Sequence, residues 1–356
     1  MELFKNKTVV ITGGTGSLGK VLTHRLLANQ ADQPRKIIIF SRDEAKQHQM
    51  RVEYQQKVKS TDEIIYHNFE RLIEFRIGDI RNYHSIAGAL KDADIVVNAA
   101  ALKQVPSCEY FPFEAVQTNI GGAQNIVRAI LEQSLKVETV VGVSTDKACK
   151  PVNAMGMTKA LQERILTVAN IQIPTTRFIC VRYGNVLASR GSVIPLFHEQ
   201  IRNGGPVTIT TPEMTRFLLP LEKAVDTILA AIQYARKGEI YIPKIPASRI
   251  IDLANVLIDG QTIAIVETGI RPGEKIHEIL VSAEEAFRTY DRGDYYVIQP
   301  LLPELVTNEV QQQPLGREYN SGTAIMQPEE VKQLLETYHL MIGPGEPLSG
   351  PEEFLR

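Results

Sequence analysis

Between residues 140 and 159 the chain reads VVGVSTDKACKPVNAMGMTK, and the residue types gathered there are those that move protons. A hydroxyl (Thr145), a carboxylate (Asp146) and two amines (Lys147 and Lys159) fall within one short stretch. General acid–base catalysis needs such groups close together, one able to give a proton and one able to take it. The apolar run Thr139 to Val143 predicts a strand. The cluster Ser144-Thr145-Asp146-Lys147 then stands at its carboxyl end, where open α/β sheets bind ligands. Lys150-Pro151 interrupts any regular element, and Asn153 reads as the N-cap of a following helix. On that helix Met155 and Lys159 are four apart and share a face. The plainer alternative is a capped helix with a surface charge pair.

The elements that must position these groups begin with Lys7 to Thr12, a buried-type strand followed by Gly13-Gly14-Thr15-Gly16-Ser17-Leu18-Gly19 and a helical pattern through Leu22, Leu26 and Leu27. Glycines at 13, 16 and 19 suit a tight turn, close approach to a pyrophosphate and helix-on-strand packing, with Thr15, Ser17 and Leu18 supplying N–H groups at the helix start. That is a dinucleotide site, although glycines alone also make structural turns. The strand Lys36 to Phe40 ends in Ser41-Arg42-Asp43, where Arg42, helped by Lys46, suits a 2′-phosphate, so NADP is expected over NAD. Asp43 keeps NAD open. Glu44 to Lys59 reads as a helix, and the strand Ile73 to Ile77 leads to Gly78-Asp79-Ile80, placed to meet an adenine. Asp94 to Asn98 is a further strand, and Ala99, Ala100 and Ala101 remove bulk at its end. Arg177 to Val181 completes the alternation. It predicts an α/β fold, a Rossmann-type doubly wound parallel sheet.

Beyond residue 184 the pattern loosens. Segments Ser189 to Pro195, Thr208 to Phe217 and Ser248 to Ser282 predict a smaller discontinuous domain, while the helix Leu221 to Tyr234 and the strand Gly238 to Ile242 return to the main sheet. The expected division is 1–184 with 217–245 for the dinucleotide, 185–216 with 246–300 for substrate, and 301–356 as a C-terminal extension. That extension holds one short helix, Pro328 to Tyr338, and its last fifteen or so residues read as disordered on composition. With 356 residues, 44% hydrophobic and 22% charged, the chain has globular composition. A formal charge of −2 predicts no nucleic-acid partner. No apolar run suggests membrane insertion, and a strand starting within the first ten residues leaves no room for a signal peptide. Cys108, Cys149 and Cys180 lack metal or disulfide spacing, so no metal and a reducing cytoplasm are expected.

Together these motifs resemble the extended short-chain dehydrogenase/reductases that modify nucleotide sugars, and among them the UDP-N-acetylglucosamine 4,6-dehydratases that invert C5 in bacterial surface-glycan and capsule synthesis. The resemblance is carried by TGGTGSLG (12–19), FSRDEAKQ (40–47), GDIR (78–81), AALKQVPSCEYFPFEAVQTNI (100–120), STDKA (144–148), RYGNVLASRGSVIPLF (182–197), MTRF (214–217), EIYIPKIP (239–246) and GIRPGEKIHE (269–278). It implies that Gly13, Gly16 and Gly19 hold the pyrophosphate, Arg42 the NADP phosphate, and Asp79 and Ile80 the adenine, with Val186 also at the cofactor. Lys159 matches the lysine of the family's YxxxK, which binds the nicotinamide ribose. Lys103, Asn185, Thr215, Arg216, Arg271 and Glu274 fall where the family holds the UDP-sugar. Arg216 and Arg271 also suit a diphosphate on chemistry alone. Met155 stands where YxxxK has tyrosine; a thioether carries no titratable proton, although some members of the group are similar in this.

The resemblance implies oxidation at sugar C4, removal of H5 by Lys147 made less basic by burial and neighbouring cations, donation from protonated Asp146 to the departing C6 hydroxyl, and return of hydride to C6. Thr145 would orient the sugar or the leaving oxygen. The O4 proton leaves through Lys159, Asp146, Lys147 or a water chain. Two other readings stand beside this one: a UDP-sugar 4-epimerase, and a catalytically silent NADP-binding sensor that Met155 encourages. Homologous enzymes are homo-oligomers, dimers or hexamers, and the helix with Gly121-Gly122 is a candidate subunit contact.

Overall fold

The computed structural model describes residues 2–56, 63–187, 192–306 and 313–341. The strands in chain order are β1 (Thr8–Thr12), β2 (Lys36–Ser41), β3 (Ile73–Ile77), β4 (Ile95–Asn98), β5 (Thr139–Thr145), β6 (Arg177–Tyr183), β7 (Val207–Ile209) and β8 (Thr215–Phe217). They are followed by β9 (Ile240–Pro243), β10 (Ala247–Arg249), β11 (Ile265–Glu267), β12 (Ile279–Val281), β13 (Thr289–Arg292), β14 (Tyr295–Ile298) and β15 (Tyr319–Asn320). Every residue of β1 and β4 is buried, as strands covered by helices on both faces must be.

The main sheet runs β13-β14-β9-β6-β5-β4-β1-β2-β3. Its strands from β9 to β3 are parallel, so the expected doubly wound Rossmann-type sheet is present. Strand order reverses between β1 and β4, and the crevice at their carboxyl ends is the place such a sheet binds ligands. Thr12 Oγ1 donates to Asn98 Oδ1 at 2.8 Å and accepts from the Ala100 N–H at 3.3 Å, locking the two strand ends side by side. The turn after β1 needs glycine for steric reasons. Gly13 has φ +66°, and a Cβ on Gly19 would lie 2.4 Å from the carbonyl oxygen of Gly14.

Three details depart from the sequence reading. Residues 289–298, expected in the substrate unit, form an antiparallel hairpin that extends the main sheet beyond β9. β13 and β14 are joined through a turn at Gly293 (φ +69°), and β14, Tyr-Tyr-Val-Ile, pairs with β9 through main-chain bonds. Residues 313–341 are not an appended tail: β15 pairs with β12, and Val331, Leu335 and Leu340 are buried with Phe197, Leu253 and Leu257 in a second core. The helix Pro328–Thr337 looks polar because only its inward positions are apolar. β5 and β6 each run two residues further than expected, so Ser144 and Thr145 still pair with Arg182 and Tyr183. The end of the expected helix 44–59, the start of the segment 189–195 and the last fifteen residues lie outside the described residues.

Candidate active site

At the switch point lies one cleft of about 990 Å³. Its walls include Gly13, Thr15, Gly16, Ser17, Leu18, Gly19, Ser41, Arg42, Lys46, Asp79, Ile80, Ala99, Ala100 and Ala101 from the first half of the sheet. Thr145, Asp146, Lys147, Met155 and Lys159 join them, with Lys103, Asn185, Val186, Arg216, Arg271 and Glu274. Thr215 does not line it. Its hydroxyl is buried against Ser321 Oγ (2.6 Å) and His277 Nδ1 (2.8 Å), because adjacent strand residues face opposite ways and Arg216 takes the cleft side.

Asn153 caps the helix Ala154–Gln172 as expected, its Oδ1 accepting the Gly156 N–H at 2.8 Å. Its amide also donates to Gly273 O at 3.0 Å, which ties the 269–275 loop over the start of that helix. Glu109 accepts the Ala154 N–H at 2.6 Å. Asn119 bonds both backbone groups of Leu102 and the Thr158 hydroxyl, which ties the segment after β4 to the helix. Met155 and Lys159 therefore face the cleft together. Gly122 packs against Ile80, where a Cβ would lie 2.9 Å from its Cγ2, whereas a Cβ on the half-buried Gly121 would meet only Val116 O, at 3.8 Å.

The acid–base groups form a compact ion cluster. Lys147 Nζ lies 3.1 Å from Asp146 Oδ1 and 3.3 Å from Glu278 Oε1, and Glu278 Oε1 is also 3.6 Å from Arg216 Nε. Thr145 donates to Asp146 Oδ1 at 2.8 Å. Asp146 Oδ2 and Glu278 Oε2 are buried without a hydrogen-bond partner among the described residues. Burial pushes the Asp146 carboxyl above the usual carboxylate range, against the pull of Lys147. Oδ1 accepts from both Thr145 and Lys147, which leaves Oδ2 as the oxygen for any proton that Asp146 takes up. For Glu278 burial is outweighed by Lys147 and Arg216, and its carboxyl is held low. The expectation that Lys147 is less basic than usual is overturned: burial pulls its amine down, but Asp146 and Glu278 outweigh that and raise it. The neighbouring cation that lowers it, Arg216, is the weaker influence.

Lys159 is the depressed lysine instead. It is 5% exposed, its Nζ donates to Val143 O (2.8 Å) and Gln162 Oε1 (2.9 Å), and burial brings it down to about 8. Such a lysine destabilises the fold while charged: the unfolded chain holds the proton up to 10.5, the folded one to about 8, so the cost is full below 8 and relieved between those values. The difference of 2.5 corresponds to about 3 kcal/mol. Denaturant unfolding should show the wild type gaining stability relative to Lys159→Met from pH 8 to 10; parallel profiles would exclude the depressed amine.

At the nucleotide end Thr15 Oγ1 meets Ser41 Oγ at 3.0 Å. Arg42 is exposed with Nη1 3.9 Å from Asp79 Oδ2, Lys46 pairs with Asp43 at 2.7 Å, and Asp79 pairs with Arg81 at 2.7 Å. Exposed pairs of this kind are worth little, so either cation can turn to a phosphate at small cost. Arg216 is more committed, its Nη1 donating to Thr215 O, Lys275 O and Ile276 O at 2.8 to 3.2 Å. Buried oxygens of Thr118, Asn185, Ser192 and Glu274 on the same walls also lack a hydrogen-bond partner among the described residues. Orphans concentrated in one cleft mark where a polar ligand completes the hydrogen bonding. Glu278 was missed in the sequence, where it was one letter at the end of a motif with no sign that it folds back onto Lys147.

A doubly wound parallel sheet with this cleft at its switch point defines a Rossmann-type α/β fold. The model of the polysaccharide biosynthesis protein family matches residues 9–300, and the chain belongs to that family. It is 44% identical over 346 residues, 94% of this chain and 97% of the other, to a UDP-glucose 4-epimerase of Rickettsia prowazekii (strain Madrid E). Among solved structures it resembles Pen from Bacillus thuringiensis, with TM-score 0.84 and 36% identity over 95% of this chain and 99% of that one. The dTDP-glucose 4,6-dehydratase DesIV from Streptomyces venezuelae shares the fold, with TM-score 0.63 and 20% identity over 76% and 86% of the two chains.

Proposed function

We propose that this protein is a nucleotide-sugar 4,6-dehydratase acting on UDP-N-acetylglucosamine with inversion at C5 and yielding a 4-keto-6-deoxy sugar for surface-polysaccharide synthesis. The observation that carries the reading is the Asp146–Lys147 pair: a carboxyl that burial pushes up, 3.1 Å from an amine. Elimination of water across C5 and C6 needs one acid and one base side by side, whereas exchange at C4 alone does not. Relatives named as a UDP-glucose 4-epimerase and a dTDP-glucose 4,6-dehydratase support a nucleotide-diphosphate hexose as substrate.

The glycine turn, the small residues Ala99 to Ala101 and the cleft beside them fit a nicotinamide dinucleotide, with Arg42 and Lys46 favouring NADP. That group supplies hydride acceptance at C4 and return at C6. Lys159 lines the cleft and would hold its ribose. Once C4 is a ketone, the acidified H5 goes to Lys147 and Asp146 gives its proton to the leaving C6 oxygen. Lys147 rests as an ammonium, so its own proton must first pass to the Asp146 carboxylate bonded to Nζ, which leaves a neutral amine beside the carboxylic acid that the elimination needs. Thr145 orients Asp146 through their hydrogen bond. Arg216, Arg271, Lys103, Asn185 and Glu274 hold the UDP moiety, and Thr215 supports Arg216 from behind.

A 4-epimerase is the second reading, favoured by the names of the Rickettsia relatives. Incubation with UDP-N-acetylglucosamine and mass spectrometry separates the two: the dehydratase product is lighter by one water, and an isobaric product sinks the dehydration. A silent NADP-binding sensor would leave the orphaned sugar-side oxygens without purpose. Among the described residues no helix is long and apolar enough to cross a membrane. Exposed Tyr110, Phe111, Phe113, Met157 and Leu161 support a homo-oligomer, as apolar surface of this kind marks contact faces.

A further inference from the structure

We propose that Glu278 is a positioning residue of the acid–base centre, its carboxylate tying the Lys147 ammonium to the Arg216 guanidinium so that a diphosphate drawn onto Arg216 reorganises the proton-transfer pair. The inference rests on the reading that Arg216 meets a diphosphate, and it stands on geometry. Glu278 is 3% exposed, and one oxygen, Oε1, serves both cations at 3.3 and 3.6 Å. The other, Oε2, is buried without a hydrogen-bond partner among the described residues.

Its backbone is held just as firmly. The Glu278 N–H donates to Ser321 Oγ at 2.9 Å, and Ser321 N–H returns a bond to Glu278 O at 2.8 Å. The same Ser321 hydroxyl reaches Thr215, the residue before Arg216. Residues from the C-terminal part of the chain therefore fix the carboxylate and the guanidinium in one unit. Asp146 and Lys147 come from the opposite unit, at the end of β5. Glu278 is the ionic tie across the cleft.

The charges around Lys147 are Asp146 on its own turn, Glu278 and Arg216 facing it, and Lys275, whose influence reaches Glu278 while its Nζ donates to Cys149 O. At present the Glu278 charge is shared between Arg216 and Lys147. A diphosphate takes up the Arg216 charge, and more of the carboxylate's field then falls on Lys147. Binding at one end of the substrate is thereby felt at the group that handles the proton at the other.

The test reads Lys147 directly and does not need turnover. Acetylation of Lys147 by trace acetic anhydride, followed by peptide mass spectrometry across pH, reports the pH at which its amine becomes nucleophilic. In Glu278→Gln that profile should move down by about one pH unit or more, the usual effect of losing an opposite charge at this range, while the Lys159 profile stays in place. UDP, which carries the diphosphate without a hexose, should move the wild-type profile upward and move that of Glu278→Gln by less. Glu278→Asp, a carboxylate drawn back by one methylene, should shift less than Gln and serves if the amide variant does not fold. An unchanged Lys147 profile in both variants overturns the proposal, as does a UDP effect absent from the wild type or of equal size with and without the carboxylate. If the labelling behaves as expected but no UDP-sugar loses water, the proposed reaction fails and the tie stands.

Discussion

Replacing Lys147 with alanine is expected to abolish both deuterium exchange at C5 and loss of water from the sugar, a fall of roughly 10²- to 10⁴-fold or more, the range general acid–base groups supply. The alanine variant also leaves Asp146 and Glu278 without their shared cation. Lys147→Arg separates the two effects. Guanidinium keeps the positive charge but does not lose its proton in proteins, so it cannot take H5. Both variants should lack exchange, while arginine retains more of the binding of UDP. Proton NMR in deuterated buffer reads the exchange, and mass spectrometry reads the water. Wild-type product should carry solvent deuterium at C5. A Lys147→Arg enzyme that still exchanged at near wild-type rate would remove Lys147 from its role.

The largest stability loss is expected from Arg182→Met. Arg182 is 1% exposed at the end of β6 and binds Glu163 at 2.7 Å, Glu285 at 2.7 Å and the carbonyl of Leu280 at 2.9 Å. Ser144 Oγ also donates to Glu163 at 2.5 Å, so the network reaches the residue before Thr145. Methionine would take the Arg182 cation from two buried carboxylates and leave Glu285 to Arg288, at 3.7 Å. Breaking a buried pair from one side costs about 3–5 kcal/mol, here a fall in Tm of roughly 10 °C.

The loss depends on pH in a defined direction. Burial alone would raise Glu285, but Arg182 outweighs it and holds the carboxyl at about 2. A depressed carboxylate gives stability that is present above its ordinary 4.5 and disappears as pH falls toward 2. The gap between wild type and Arg182→Met should therefore narrow below pH 4.5. Denaturant titration at pH 7 and pH 3 checks this, and a gap that stays constant would mean that packing, not charge, dominates.

Much of the sheet was legible because each strand is a short Val- and Ile-rich run closed by glycine or a small polar residue. The dinucleotide end was legible for a local reason: a glycine turn works through contacts within a few residues, as at Gly13 and Gly19. The helix cap at Asn153 and the shared face of Met155 and Lys159 are local in the same sense. The hairpin 289–298 was misplaced, since a run of Tyr, Val and Ile says that a strand forms but not which edge receives it. The helix 328–337 reads as peripheral because its two buried positions, Val331 and Leu335, are diluted by polar neighbours.

What the sequence by itself determined is the chemistry available: which side chains hold protons, where the chain must turn, and the α/β alternation that sends those turns to one edge. Which of the two lysines stays charged was decided only in three dimensions. Against burial, Lys147 is kept positive by Asp146 beside it together with a carboxylate 131 positions away, whereas Lys159 is brought down by burial that Cys180 and Glu163 do not offset. An amine's ionisation follows the field and solvent around it, and those are supplied by neighbours that the order of residues leaves far apart.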